Sequence, residues 1–152
     1  MKNLFALFII LLFVPIRGLA EAPVLGERGT EELLTLEFHD VWARKSLTHG
    51  ANSAIYMEIN NPTDKEYVIR AAESEVAENT ELHESFVDEN GIARMMALDK
   101  IVVPARARIS LKPKSLHIML LGLQRTLKEG DKIQFTLEIE DSDPVALIAV
   151  VK

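Results

Sequence analysis

Histidine and methionine are the side chains in this 152-residue chain best suited to grip a metal ion, and it has four of the first and five of the second. Apart from Met1 they are His39, His49, His83 and His117, with Met57, Met95, Met96 and Met119. His117-Ile118-Met119 sets an imidazole and a thioether two residues apart, and on a strand such residues project from one face, where both could reach one ion. His83 lies upstream, and the Asn90-Gly91 turn signal leads from its segment to the one holding Met95 and Met96. Loop length decides which Met joins His83. With a three-residue loop, Glu89-Asn90-Gly91, Asp88 pairs with Ile92, Ser85 faces Met95 and His83 faces Ala97. A two-residue loop at Glu89-Asn90 brings Met96 to that face instead.

The elements that must position these residues read as strands. After residue 34 no helix-length amphipathic pattern appears. Short segments rich in β-branched and apolar residues are instead broken by closely spaced turn signals. They are Leu34–Ala43, Ser53–Asn60, Glu66–Ala72, Thr80–Val87, Ile92–Leu98, Arg108–Leu111, His117–Leu121, Lys132–Glu140 and Val145–Val151. Turns are expected at Asn60–Asp64, Asp88–Gly91, Val103–Ala105, Lys112–Lys114 and Lys128–Asp131. Many short strands at this spacing imply an all-β antiparallel sandwich or barrel. Trp42 and Tyr56 are expected as core anchors, Met57 and Met96 as core filler, and His39 and His49 as solvated.

The N-terminus has a separate purpose. Lys2, an apolar run from Leu4 to Val14, and small residues at Gly18 and Ala20 describe a secretory signal peptide over 1–20, cleaved after Ala20. The run is too short to span a bilayer comfortably, so no stable membrane insertion is expected after cleavage. Residues 21–33 are polar and glycine-containing and read as a flexible arm, leaving 34–152 as the folded domain. Loss of Lys2 and Arg17 takes the net charge from −6 to −8. That balance argues against nucleic acid as a partner. The chain has no cysteine, which excludes a disulfide scaffold, a thiolate metal site, a cysteine nucleophile and a lipid anchor through an N-terminal cysteine. Phosphate-cradling glycine loops, a Gly-x-Ser-x-Gly elbow and paired acid–base carboxylates are also missing, so an enzyme is not expected.

Several runs together resemble the periplasmic copper chaperone family PCu(A)C. They are Leu82-His83-Glu84, Gly91 to Met95, Ile101 to Pro104, Leu111-Lys112-Pro113, His117 to Leu123 and Leu127 to Asp131, with Val41 to Arg44 and Ala54 to Asn61 upstream. The family motif is a His, ten residues, a Met, twenty-one residues, then His-x-Met. Residues 96–116, twenty-one of them, separate Met95 from His117, which favours Met95 over Met96. Eleven residues separate His83 from Met95, and the extra one is most easily placed in the hairpin loop. Ser85 and Ala93 stand where many members carry an additional Met, so an auxiliary thioether contact is in doubt. The resemblance implies a cupredoxin-like antiparallel β-sandwich of Greek-key type with His83, Met95, His117 and Met119 as metal ligands. It also implies a monomeric periplasmic protein delivering Cu(I) to cytochrome c oxidase, through its copper-site subunit or another copper-transfer protein.

The residue types suit that cargo. Two imidazoles and two thioethers make a soft, neutral donor set that prefers Cu(I) to harder divalent ions. Thioethers need no deprotonation and cannot be lost to disulfide formation. The other readings of the chain are a metal-free interaction module of the envelope and a copper enzyme or electron carrier. The absence of cysteine weakens the last, because blue-copper sites need a thiolate. Protons compete with metal for imidazole, whose unperturbed pKa is about 6.5. Cu(I) affinity, measured against a competing chelator, is therefore expected to be weaker at pH 5 than at pH 7. An affinity constant across that range would exclude imidazole as a ligand.

Overall fold

The computed structural model describes residues 35–152; the expected signal peptide at 1–20, the arm at 21–33 and the start of the first expected strand at Leu34 lie outside the described residues. The described chain is all-β. Its strands are β1 (Glu37–Ala43), β2 (Ser53–Asn60), β3 (Tyr67–Glu73), β4 (Ala77–Val87) and β5 (Ala93–Ala97), then β6 (Ile101–Val103), β7 (Arg108–Leu111), β8 (Leu116–Leu123), β9 (Lys132–Ile139) and β10 (Val145–Val151). β2, β7 and β10 have the expected limits, and the other expected strands shift at one or both ends. β6 was not expected. Three residues are too few to show alternation, and Pro104 follows directly, yet Ile101 and Val103 are buried against β3.

Hydrogen bonds join the strands in the order β5-β4-β8-β2-β1-β10-β9-β3-β6, with β7 on β2. Every pair is antiparallel except β1 with β10, where Trp42 stands beside Val150 and Ala43 beside Val151. The β9–β10 hairpin fixes the direction of β10, and that direction matches β1. This parallel pair is the one departure from the expected antiparallel sandwich.

Alternation builds the core. On β8, Ile118 and Leu120 point inward with Ile55 and Met57 of β2 and Leu82 of β4. From the other half of the order, Ile133, Phe135 and Leu137 of β9 and Ile69 of β3 join the same cluster. Met57 is core filler, as expected. β1 takes part through a bulge. His39 faces Glu58 but Trp42 faces Tyr56, so β1 holds one residue more than β2 between those pairs, and Asp40 there has φ 48°. The extra residue puts Trp42, rather than Val41, beside Tyr56. Trp42 is half-buried and stacks on the buried Tyr56 with ring centroids 4.5 Å apart.

Ile118 is the inward residue between His117 and Met119, and it is 1% exposed. Ile118→Ala is expected to cost about 2–5 kcal/mol, the range for emptying such a core position, read as a lower midpoint in urea unfolding.

Candidate metal centre

The outward face of β4 and β8 carries the candidate ligands. On β4, Glu81, His83 and Ser85 alternate outward; on β8, His117 is paired with His83 and Met119 with Glu81. β5 lies on the other side of β4, with Ala97 opposite His83 and Met95 opposite Ser85. Met95 and Met119 thus flank His83 diagonally, one from each neighbouring strand. Met119 has Ala54 beside it on β2. Small side chains at Ala54, Ser85 and Ala93 leave room for a groove of about 630 Å³ lined by Met95, His117 and Met119 among others. His83 stands behind that lining, its ring centroid 5.8 Å from that of His117.

The hairpin takes the three-residue loop. The Asp88 backbone N–H donates to Ile92 O at 2.9 Å, and Gly91 adopts φ 76°, a left-handed conformation that glycine adopts without strain. Asp88 locks the turn from inside. Its Oδ1 accepts the backbone N–H groups of Asn90 at 3.0 Å and Ile92 at 2.9 Å, while Oδ2 accepts Arg94 Nε at 2.9 Å. These bonds, Ile92 first, hold the Asp88 carboxyl below the usual carboxylate range. This register puts Met95 on the face of His83 and sends Met96 to the opposite face, beside Glu84. Met96 is not core filler, contrary to expectation. It shares a face with Leu82, but the hairpin runs past the end of the core there, and Met96 and Phe86 are both exposed.

Hydrogen bonds leave each histidine with one free nitrogen. His117 Nδ1 lies 2.9 Å from the Ser115 carbonyl. A carbonyl only accepts, so Nδ1 carries the proton and Nε2 keeps its lone pair. His83 Nε2 lies 2.7 Å from Glu81 Oε2 and donates to that carboxylate, which leaves the lone pair on Nδ1. His83 Nδ1 is also buried and has no partner among the described residues. An acceptor left in that state costs about 1–3 kcal/mol, which a bound cation would offset. Both imidazoles are thus oriented as metal-binding histidines are, each held through the nitrogen that does not coordinate. Met95 is 52% exposed and His117 only 3%, so the donor set runs from the interior to the surface.

Behind the pair, Tyr56 lies 6.2 Å from His117 between ring centroids, continuing the stack to Trp42. Burial raises the pKa of Tyr56 and lowers that of His117; for His117 the Ser115 carbonyl opposes the shift and nearby His83 adds to it. Of the other His residues, His39 is exposed beside Glu37 at 3.6 Å and His49 is exposed in a loop. Neither belongs to the group, as expected. Glu81 was missed from sequence, although a carboxylate two residues before a candidate ligand on a strand must share its face.

The sequence of residues 36–151 matches the LpqE-like family, named for lipoproteins. Lxx21020 of Leifsonia xyli subsp. xyli (strain CTCB07), named as a lipoprotein, is 34% identical over 98 residues. That match covers 62% of this chain and 58% of the relative's own length. Among solved structures, CuI-DR1885 from Deinococcus radiodurans is 27% identical with a TM-score of 0.57, covering 75% of this chain and 77% of that one. The copper-bound PCuAC domain from PmoF2 is 20% identical with a TM-score of 0.64, covering 77% of this chain and 92% of that one. The cupredoxin-like β fold of PCuAC domains is therefore the fold of this chain.

The lowered pKa of His117 has a consequence for the metal-free protein. Unfolded, this imidazole titrates near its unperturbed value of about 6.5; folded, it titrates lower. Its stabilisation is complete above the unfolded value and is lost as pH falls through the folded one, because the unfolded chain takes up the proton first. The urea midpoint is expected to fall between pH 7 and pH 5, and part of that fall should vanish in His117→Phe. Equal falls in both proteins would show that His117 does not titrate in this way.

Proposed function

The chain belongs to the LpqE-like family, and from its fold and the two free imidazole nitrogens we propose that it is a periplasmic copper metallochaperone holding one Cu(I) through His83, Met95, His117 and Met119. The observation that carries this reading is the unpartnered, buried His83 Nδ1, on a ring 5.8 Å from that of His117, with Met95 and Met119 on the same face. Imidazole suits several metals; thioether narrows the choice to a soft one, and the chain has no thiolate to draw zinc. The family is named for lipoproteins, yet these 152 residues contain no cysteine to acylate, so export through the expected signal peptide is the proposed route to the envelope.

Copper is cargo here, and the chain's own residues determine how it is held and released. Glu81 and the Ser115 carbonyl fix the two rings, so the imidazoles are arranged before metal arrives. Met95, on an edge strand and half exposed, is the donor a partner reaches first. Release then begins at Met95 and ends at the buried His117, with a partner's donors replacing this chain's one at a time. The proposed recipient, following the PCu(A)C resemblance, is the copper-site subunit of cytochrome c oxidase or another copper-transfer protein, met by a monomer.

Titration with Cu(I) against a competing chelator tests the site. One ion per chain is expected, with binding abolished or severely weakened in His117→Ala/Met119→Ala. Glu81→Ala should weaken binding by about 10- to 100-fold, as losing a carboxylate that orients a metal-binding histidine does. Glu81→Gln should lose less, since its amide oxygen can still accept from His83 Nε2. No binding, or binding unchanged in the double variant, would end the chaperone reading.

A further inference from the structure

The groove has a charge opposite to that of the molecule around it. The chain carries net charge −6, yet the groove lining includes Arg44, Arg94 and Lys114 and not one Asp or Glu. Arg94 is neutralised by Asp88 at 2.9 Å. Arg44 and Lys114 are exposed and have no ion-pair partner among the described residues. Glu81, which faces Met119 across the β4–β8 pair, is turned to His83. Carboxylates gather elsewhere, as at Glu73, Glu75 and Glu78 around a separate cleft between the β3–β4 connection and β9. The hairpin also brings apolar residues to the groove. Val87 is 68% exposed there, and Met95 and Phe86 lie on the same projecting hairpin. Exposed apolar residues clustered beside two unpaired cations are an uncommon way to finish the surface of an acidic monomer.

We propose that this mouth is the docking surface for the copper-exchange partner, and that the partner presents a protruding apolar segment, bearing its own copper donors, flanked by carboxylates. Val87 and Met95, which share one face of the hairpin, receive the apolar part. Arg44 and Lys114, both in the lining, receive the carboxylates and set the direction of approach. The pairing steers encounter at long range, while the rest of the acidic surface repels an acidic partner that arrives in any other orientation. The inference rests on the proposed Cu(I) site and adds the chemistry of what meets it.

The test uses two synthetic peptides loaded with Cu(I), Glu-Glu-Met-Gly-Met-Glu-Glu and Lys-Lys-Met-Gly-Met-Lys-Lys, mixed with the chain in stopped flow. Trp42, the single tryptophan, is stacked on Tyr56 next to His117 and reports arrival by fluorescence. At low ionic strength the acidic peptide should transfer roughly 10-fold faster or more, and the advantage should collapse in 0.5 M salt. Arg44→Glu/Lys114→Glu should reverse the order while leaving the affinity against a chelator unchanged. Val87→Ser should slow both peptides, again at unchanged affinity. Equal rates for the two peptides, with normal chelator-measured binding, would overturn the docking surface and leave the metal site standing. Failure of the wild-type chain to take Cu(I) from the chelator would instead overturn the metal site, and the docking proposal with it. Sedimentation showing a dimer that the charge reversal dissolves would assign the surface to a second copy and overturn the partner proposed here.

Discussion

Two strands held in one register carry the geometry on which the candidate centre depends. β4 and β8 pair so that His83 stands beside His117, and the same pairing turns Leu82, Ile118 and Leu120 inward. A slip of one residue would send the histidines into the core and those three side chains to water. Each aliphatic side chain contributes about 1.5–3 kcal/mol by burial, so three together outweigh any preference the polar face has for another register. The core, rather than the ligands, sets where the ligands stand.

The strands themselves were largely legible. Alternation and turn residues located nine of them, while the loop that places Met95 was left open by the turn residues and favoured only by the motif spacing of the resembled family. What escaped reading is what depends on distant chain. β6 is three residues long and is a strand only because β3 lies beside it. Met96 looked like core filler, since composition does not reveal that the hairpin outruns the core. The bulge at Asp40 gave no sign in sequence, though it decides that Trp42 stacks on Tyr56. Of the candidate centre, the candidate ligands could be named, but not which nitrogen each histidine leaves free. That is decided by the Ser115 carbonyl, a backbone atom, and by Glu81, a residue of ordinary type in an acidic chain.

Small residues matter to the site as much as the donors do. Ala54, Ser85 and Ala93 share the face of the ligands and fill little of the space above it. With larger side chains there the cleft over Met119 would close, and His117 would be one more buried ring. Burial is graded along the donor set, from His117 under Tyr56 to Met95 at the rim, and accessibility follows the same order.

β5 closes the sheet on one side, has a single neighbour, and buries none of its side chains. Few contacts oppose its opening, so the hairpin belongs to the least protected part of the fold, where amide hydrogens exchange most readily. On the proposed ligation, an ion held by Met95 at this edge and by His117 two strands away would cross-link the weakest strand to the well-packed interior. Ligation and local folding would then draw on one free energy, and a bound ion would tighten the hairpin by mass action. With the proposed site empty or filled, that edge would come loose to different extents, a difference open to a binding partner before it touches the metal.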